Sequence, residues 1–524
     1  MLEFELDMVQ RELDQGSAVY LAYCRGQTGY CAANNPKQNQ KFEKSKCITC
    51  KSRVQAGIRW LDESVGDLIT LEYQRLNLGQ KNRIRELQSA VGDGIQPIEQ
   101  IKKNLSEQEK ICWLSALSGM NTDLKTSEVD LSRHRLRFSL LLSEALSSAA
   151  SMEYHLDAIQ PDMVLIYNGR MPRYGPALEV LRKSNTPHTI YEYPEVGHRD
   201  YLFSQDFKPH DFNDFVSRNK KIFESLTQAE QEPLLKKAEV WLAERAQRIL
   251  DGRQALLLDE SLANIATGEM PSGWEIVEPR VRVAVFPTSQ YEYANVASHR
   301  GSMALRQADV IRDTLNKFPA FHFFVRIHPA QPKSDHPFLS NLILLGNLPN
   351  CTIIESHSRV DSYALGAAAD ISLTFGSTIG VELAYQGKSV IECGSPRFSS
   401  FGATVGLHST NELHDSLGSV TIAGRLSRGE AGLREAALRA VASSYCSARS
   451  PVYAQRESFS AATMKRGSEH TEIAPSSSAV ALSNALSFVE NPVRVRRLAD
   501  PIYQKFVQTD IGKQIRAARD ESPT

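Results

Sequence analysis

A Gly-Ser-Thr turn between an apolar strand and a helix is the strongest candidate site in the sequence. The segment ISLTF predicts a buried strand, and Gly376, Ser377 and Thr378 follow it at the start of a helical pattern. Backbone N–H groups at a helix start, with the positive end of the helix dipole, favour an anion. Glu382 lies one turn further on, where it can accept hydrogen bonds from hydroxyl groups. We therefore predict a phosphate site; the alternative is that Ser377 caps the helix and Glu382 completes a pattern like a capping box.

Two further strand ends carry groups that suit the same ligand. Arg326 and His328 end the apolar segment FHFFVRIHP, on the same carboxyl edge of the predicted sheet. Arginine binds phosphate through two hydrogen bonds, histidine can donate one, and donors aimed at a departing diphosphate lower the barrier to its release. Thr288 and Ser289 add hydroxyl groups after the segment VRVAVFP. The alternatives are a surface salt bridge for Arg326 and a turn residue ordered by Pro329 for His328.

An Asn-Gly-Arg turn follows another apolar strand in the first half of the chain. Asn168, Gly169 and Arg170 come directly after DMVLIY. We expect them to position the acceptor, which is the molecule whose hydroxyl group displaces the diphosphate, or to reach the diphosphate itself. A carboxylate or an imidazole after the next strand would deprotonate an attacking hydroxyl. The segment YEYPEVGHRDY there holds three candidates: Glu195, His198 and Asp200. No spacing distinguishes between them, and the alternative is a solvated polar loop.

Four of the eight cysteines lie close together near the N-terminus: Cys24, Cys31, Cys47 and Cys50. Cys47 and Cys50 have the C-x-x-C spacing of a zinc knuckle, in a stretch whose pattern indicates a loop. The first pair is separated by six residues, which is wider than usual in such sites. The four cysteines could therefore bind a structural zinc ion or be plain reduced thiols. A separate point concerns catalysis: no Asp-x-Asp motif for a donor-bound divalent ion occurs, so we expect that no cofactor is required for the reaction.

The composition excludes several classes of protein. Because 60 basic residues are balanced by 61 acidic ones, a surface built to bind nucleic acid is not expected. The hydrophobic content of 42% and the charged content of 23% are typical of a folded soluble protein. No apolar run approaches the roughly 18 to 20 residues that cross a bilayer, and no export signal is recognisable. We expect a cytoplasmic protein, with peripheral association at the inner face of the cytoplasmic membrane left open.

Alternating strand and helix patterns predict an α/β fold. One series of βα units begins at DMVLIY, and a second runs from VRVAVF to SVIECG, which is typical of a doubly wound parallel sheet. Gly, Pro and polar residues over 267–280 predict a linker. We therefore expect an N-terminal Rossmann-like domain at 1–270 with a helical insert at about 52–155, a C-terminal Rossmann-like domain at 271–465, and a polar, then helical tail at 466–524.

These motifs together resemble the bacterial glycosyltransferases of capsule and surface-polysaccharide biosynthesis. The likeness is carried by RIHP, by DSYALGAAADISLTFGSTIGVELAYQGKSVI, by the NGR turn, by KPHDF and by the N-terminal segment with its cysteines. It covers most of the chain and is strongest over 320–395. The resemblance implies a GT-B fold, in which two Rossmann-like domains face each other across a cleft.

The resemblance also implies roles for particular residues. The C-terminal domain would hold a nucleotide-sugar donor through Arg326, His328, Ser377, Thr378 and Glu382. The N-terminal domain would hold the acceptor, a growing glycan or a lipid-linked glycan. The implied activity is metal-independent transfer of a sugar to a capsule, O-antigen or other surface glycan. Two alternatives stay open: a nucleotide-sugar 2-epimerase or hydrolase on the same fold, and a non-catalytic glycan-assembly or glycan-binding protein.

Overall fold

The computed structural model of the chain describes residues 2–24, 44–61, 67–72, 76–94, 96–192, 201–204, 211–250, 268–277, 281–296, 299, 302–328, 337–423, 430–456, 462–466 and 469–490. The chain forms two compact units. The first contains residues 1–88 and 451–524, and the second contains residues 89–450. This division differs from the predicted one, because the predicted domain boundary at 270 lies inside the second unit.

Helices and strands alternate along much of the chain. The helices are α1 (Leu2–Asp14), α2 (Lys44–Trp60), α3 (Leu78–Gly92), α4 (Ile98–Lys103), α5 (Glu107–Leu124), α6 (Arg135–Ile159), α7 (Gly175–Lys183), α8 (Phe212–Ser225), α9 (Gln228–Leu250), α10 (Gln290–Tyr293), α11 (Gln307–Lys317), α12 (Pro337–Ile343), α13 (Ser362–Ala368), α14 (Ile379–Tyr385), α15 (Thr410–Ala423), α16 (Glu430–Ser444) and α17 (Ser477–Glu490). The strands are β1 (Val19–Tyr23), β2 (Leu68–Glu72), β3 (Val164–Tyr167), β4 (His188–Glu192), β5 (Tyr201–Ser204), β6 (Val281–Phe286), β7 (Phe321–Arg326), β8 (Cys351–Ile354), β9 (Ile371–Thr374), β10 (Val390–Cys393), β11 (Val405–Leu407), β12 (Ala448–Arg449), β13 (Ala454–Arg456), β14 (Ala462–Arg466) and β15 (Glu469–Glu472). Over the described residues, no helix combines the length and the apolar character that a membrane span requires.

The first unit is built from both ends of the chain. In it β1 and β2 pair in parallel, and β13, β14 and β15 form an antiparallel sheet. Asp7 of α1 is buried, and its carboxylate accepts hydrogen bonds from the backbone N–H groups of Val452, Tyr453 and Ala454. This carboxylate therefore ties the C-terminal segment to the N-terminal helix.

The second unit contains a parallel sheet of six described strands in the order β11-β10-β9-β6-β7-β8. The chain runs outward from β6 through β7 to β8, and then crosses to the other side of β6 to form β9. Because the connections that leave β6 and β9 diverge, a crevice is expected at their carboxyl ends, where ligands of such sheets bind. The predicted doubly wound parallel sheet is confirmed.

Helices cover both faces of this sheet. On β6, Val283 and Val285 belong to a core that also contains side chains from α11, α12 and α15. Ala284 and Phe286 belong to a second core, to which α13 and α14 contribute. Burial of alternate residues on opposite faces specifies the register of the strands, because a slip of one residue would exchange the two faces. The register in turn sets which residues emerge at the carboxyl edge.

A second sheet in this unit is mixed, and it differs from the prediction for the first half of the chain. Its order is β12-β5-β4-β3, with β3 and β4 parallel and the other described pairs antiparallel. The predicted N-terminal Rossmann-like domain is therefore not confirmed, nor is a cleft between two such domains. The predicted helical insert at 52–155 contains α3 to α6, but it also contains β2.

Candidate functional site

The Gly-Ser-Thr turn lies at the carboxyl end of β9, beside the point where the sheet changes direction. Gly376 has a φ of +92°, which L side chains rarely adopt, and a Cβ atom there would lie 3.0 Å from the Tyr293 hydroxyl. That hydroxyl donates to the carbonyl oxygen of Phe375 at 3.4 Å. Tyr293 comes from α10, which follows β6, so this contact spans the crevice between β6 and β9. Glycine is required here both by the backbone and by the neighbouring ring.

Thr378 begins α14 without a side-chain cap. The N–H of Ser377 donates to Thr374 Oγ1 at 3.1 Å, which holds the turn in place. The alternative prediction of a capping box at this helix is therefore not seen. Glu382 N–H donates to the carbonyl oxygen of Thr378, and Gly380 N–H donates to that of Ser377. The N–H groups before them, at the start of a helix, have no acceptor within the helix.

Glu382 is bonded inside the protein, with only 3% of its surface exposed. One carboxylate oxygen accepts from Arg245 Nε at 3.0 Å, and the other accepts from the Tyr363 hydroxyl. The predicted contact of Glu382 with sugar or ribose hydroxyls does not fit this placement, because the carboxylate is buried and its oxygens face Arg245 and Tyr363. Tyr363 of α13 thus has a polar role beside the site.

Arg245 of α9 is a site residue that sequence reasoning missed. Its Nη2 lies 3.5 Å from Thr378 Oγ1, and its guanidinium lies 5.5 Å from the centre of the Trp241 ring. Burial opposes its charge, but Glu382 and Tyr363 outweigh this effect and raise the pKa of Arg245 above its ordinary value. The i, i+4 spacing of Trp241 and Arg245 is visible in the sequence, but the contact with α14 is not. These contacts use Nε and Nη2, and Nη1 takes no part in them.

Arg326 is fully buried at the end of β7. It donates from Nη1 to the carbonyl oxygens of Ile327 (3.1 Å) and Glu355, and from Nη2 to that of Ser358 at 3.2 Å. Its Nε is buried without a partner in the described part of the chain. Burial lowers the pKa of Arg326 to about 10, although Asp361 opposes the shift. The prediction of a direct phosphate ligand does not fit this placement; Arg326 holds the loop after β8.

His328 lies two residues further on and is partly exposed. Burial, followed by the positive charges of Arg326 and Arg245, lowers the pKa of His328 to about 4. The imidazole is therefore neutral at pH 7. The charges of Arg326 and Arg245 both act on His328, and they would also favour an anion bound beside it.

A buried glutamine, Gln307, holds the segment that follows β6. The N–H of Thr288 donates to Gln307 Oε1 at 2.9 Å, and Gln307 Nε2 donates to the carbonyl oxygen of Ala304 at 2.9 Å. Ser289 precedes α10 and is partly exposed. Both predicted hydroxyl-bearing residues therefore lie at the carboxyl edge of the parallel sheet, as their position after a strand indicates.

The Asn-Gly-Arg turn contacts α10, the short helix that follows β6. Asn168 and Gly169 have φ values of +59° and +68°, and Asn168 Oδ1 accepts from the N–H of Arg170 at 3.1 Å. Arg170 Nη1 donates to the carbonyl oxygen of Glu292 in α10 at 2.9 Å. Burial lowers the pKa of Arg170, with Glu292 and Glu192 opposing the shift. The structure thus brings the predicted acceptor-side turn into contact with the short helix that follows β6.

Two predicted sets of residues, the candidate bases and the four cysteines, include members that lie outside the described residues. Glu195, His198 and Asp200 all do, so their catalytic roles stay predictions. Cys31 does as well, whereas Cys47 and Cys50 lie one turn apart on α2, so the prediction of a loop there is wrong. In the ranges that the structure describes, no group of three or more His, Cys, Asp or Glu side chains could hold a metal ion. Zinc binding by all four cysteines stays a prediction.

No protein-family model and no curated protein sequence matches the chain. Some solved structures are similar to it. The β-Kdo 2,4 transferase KpsC of Thermosulfurimonas dismutans is 16% identical, with 62% of this chain and 87% of that chain covered and a TM-score of 0.31. The UDP complex of S. aureus MnaA is 11% identical over 82% and 94% of the two chains, with a TM-score of 0.27. The UDP-GlcNAc 2-epimerase of Neisseria meningitidis, bound to UDP-GlcNAc, is 12% identical over 80% and 97%, with a TM-score of 0.27. At these TM-scores the likeness carries no argument about activity.

Proposed function

We propose that the chain is an enzyme that binds a nucleoside diphosphate sugar and transfers the sugar to a hydroxyl group of a glycan. The observation that carries this proposal is the convergence of Arg245, His328 and Thr378 at the carboxyl edge of a parallel sheet, beside its switch point. The charges of Arg326 and Arg245 that act on His328 suit the phosphates of the donor. The motif resemblance to capsule and surface-polysaccharide glycosyltransferases supports a sugar as the transferred group.

In this proposal the diphosphate lies against the start of α14. The N–H groups of Thr378 and Ile379 and the Thr378 hydroxyl donate to it, and Arg245 adds a charge-assisted donor. When the bond between the sugar carbon and the phosphate oxygen breaks, negative charge accumulates on the leaving diphosphate. Donors already held in place stabilise that charge more in the transition state than in the ground state. Glu382 and Tyr363 act as positioning residues, because Glu382 holds the Arg245 side chain and Tyr363 holds Glu382.

The acceptor side of the proposal uses the Asn168–Arg170 turn. This turn contacts α10, and Tyr293 of the same short helix contacts the carbonyl oxygen before Gly376. An acceptor hydroxyl held there would attack the sugar carbon and pass its proton to a general base. Glu195, His198 and Asp200 are the proposed candidates for that base.

Thermal unfolding in the presence of UDP, GDP, CDP or CMP tests nucleotide binding. A ligand at one hundred times its Kd adds about 2.7 kcal/mol to the free energy of unfolding, which raises Tm by several degrees. We expect the Thr378→Val and His328→Asn variants to weaken binding about tenfold. The double variant Arg245→Leu/Glu382→Leu removes both partners of the buried pair together, so no charge is left unpaired, and it should abolish the shift. Arg312→Leu, which removes an exposed ion pair with Asp309, is the matched control.

Two results would contradict the proposal. If the double variant keeps the full nucleotide-induced shift, these residues do not bind the donor. If incubation with the donor sugar nucleotide alone produces an epimerised or hydrolysed sugar as fast as any transfer product, the reaction is not primarily a transfer. The second result would favour the epimerase or hydrolase alternative on the same site.

A further inference from the structure

A cavity of about 220 Å³ lies in the second unit, away from the Gly-Ser-Thr turn. It is partly open to solvent, and it is lined by α4, α5, the segment that follows α5, and the residue Asn295 just after α10. Its polar and aromatic lining consists of Glu99, Lys102, Trp113, Asn121, Ser127 and Asn295. None of these residues belongs to the site described above, and no motif in the sequence indicates them.

Polar groups at one side of the cavity are held by hydrogen bonds to one another. Asn121 is buried, and its Oδ1 accepts from Asn295 Nδ2 at 2.7 Å. Ser127 Oγ accepts from Gln290 Nε2 at 2.9 Å. These bonds leave the hydroxyl hydrogen of Ser127 and the side-chain oxygen of Asn295 able to bond a ligand. Asn295 also has a φ of +64°, an uncommon backbone conformation for a residue other than glycine.

The rest of the lining is apolar, apart from two exposed side chains of opposite charge. Trp113 is buried and meets Phe138 edge to face, with ring centres 4.6 Å apart. Glu99 and Lys102 are exposed residues of α4, and their opposite charges sum to zero. The volume is smaller than the roughly 300 to 1,000 Å³ of pockets for drug-sized ligands, so it suits a single ring. An amphipathic cavity without net charge favours an uncharged ring that bears hydroxyl groups.

The cavity is connected to the proposed phosphate site by one short segment. Gln290 bonds Ser127 and Asn295 bonds Asn121, while Tyr293 between them bonds the carbonyl oxygen of Phe375. A ligand that displaces or tightens this segment would therefore act on both the cavity and the turn at Gly376. Arg170 of the proposed acceptor-side turn also bonds this segment, at the carbonyl oxygen of Glu292, and we therefore assign the cavity to the acceptor side of the proposed reaction.

We propose that this cavity binds one uncharged pyranose ring of the glycan acceptor. The inference rests on the proposed function for its biological meaning, but sugar binding by the cavity can be measured independently. Ser127 and Asn295 would bond the ring hydroxyls, the apolar lining would contact a carbon face of the ring, and Glu99 and Lys102 would bond hydroxyls nearer the solvent.

Ligand-observed NMR with methyl pyranosides of glucose, galactose, mannose and N-acetylglucosamine tests the proposal, with uridine and glucuronate as comparison probes. We expect at least one neutral pyranoside to bind, with Kd in the millimolar range, and its binding to change Trp fluorescence. Val129→Trp, which fills the cavity, should abolish that binding, and Asn295→Ala and Lys102→Ala should each weaken it about tenfold or less. Lys103→Ala is the matched control, since Lys103 is the exposed neighbour of Lys102 outside the lining. Circular dichroism would establish that each variant is folded.

Different results separate this inference from the proposed function. Loss of pyranoside binding in the folded Val129→Trp variant, with the nucleotide-induced rise in Tm retained, supports the cavity as a separate sugar site. If pyranosides bind but no nucleotide does, the sugar site stands and the proposed function fails. The inference is overturned if no pyranoside binds, if uridine or glucuronate competes better than every neutral sugar, or if Val129→Trp binds as well as the unaltered chain.

Discussion

Burial decides what each ionisable side chain near the site can do. The residue types at the strand ends suit phosphate chemistry, and on that basis Arg326 and Glu382 are natural candidates for ligand contacts. The structure instead uses Arg326 to hold a loop and Glu382 to hold Arg245. A buried charge is costly unless it is paired, so these two groups are committed to internal partners. In the proposed function, Arg245, His328 and Thr378 bind the anion instead.

The imidazole of His328 provides a prediction about pH. NMR titration without ligand should give it a pKa of about 4, whereas an unfolded histidine titrates near 6.5. As pH falls from about 6.5 to 4, the unfolded chain takes up a proton that the folded chain does not. The free energy of unfolding should therefore decrease across this window, by about 3 kcal/mol in total for this group.

His328→Asn should remove this part of the pH dependence, as measured by urea denaturation at pH 7 and pH 4.5. A bound nucleotide should also raise the pKa of His328, because its phosphates offset the charges of Arg326 and Arg245. A titration near 6.5 in the free protein would show that the imidazole is not in a positive environment.

The connection between β9 and α14 shows how an element is specified by local chemistry. The apolar run of β9, the glycine and the two hydroxyl residues predict strand, turn and helix in that order, and the structure has them in that order. The local pattern does not predict which residues surround the turn, because Tyr293 contacts it from a distant part of the chain. The local pattern therefore predicts the existence of the turn, and packing sets its surroundings.

Gly376→Ala should destabilise the protein for two separable reasons. The left-handed backbone costs about 1 to 2 kcal/mol for a residue with a Cβ atom, and the contact with the Tyr293 hydroxyl adds to this. In Gly376→Ala/Tyr293→Phe only the second contribution should be recovered, as measured by urea denaturation.

Gly418→Ala is the matched control for this pair. Gly418 lies within α15 with nothing within 4 Å of an added Cβ atom, so alanine there should stabilise the protein by up to about 1 kcal/mol. Full recovery of stability in the double variant would mean that the backbone at Gly376 is not strained by a side chain.

At the scale of the whole molecule, the two ends of the chain combine in one compact unit. The pattern of elements indicates domains that follow one another along the chain, whereas residues 451–524 join residues 1–88. The carboxylate of Asp7, with its three backbone donors, is a specific contact that makes this arrangement possible.

Asp7→Ala should weaken the attachment of the C-terminal segment. One buried and two partly buried N–H groups would lose a charged acceptor. A buried bond of this kind costs about 1.5 to 3 kcal/mol when it is lost, and a partly buried one costs less because water replaces the acceptor. Hydrogen exchange followed by mass spectrometry should show faster exchange over residues 452–454. Glu12→Ala, an exposed carboxylate on the same helix, should leave that exchange unchanged. Unaltered protection in Asp7→Ala would show that other contacts hold the segment.

The sequence by itself determined the parallel sheet, the order of its strands and helices along the chain, and the set of polar residues that follow the strands. These features depend on the periodicity of apolar residues and on turn chemistry, both of which act between neighbours in the chain. Only the tertiary structure decided that Arg245 pairs with Glu382, that Arg326 is buried, that Asn121 and Asn295 flank a cavity and that both chain ends share one unit. Arg245 and Glu382 are 137 positions apart, Asn121 and Asn295 are 174 apart, and the loop that Arg326 holds begins 29 positions after it. A pattern of near neighbours contains no information about which distant side chain supplies the partner.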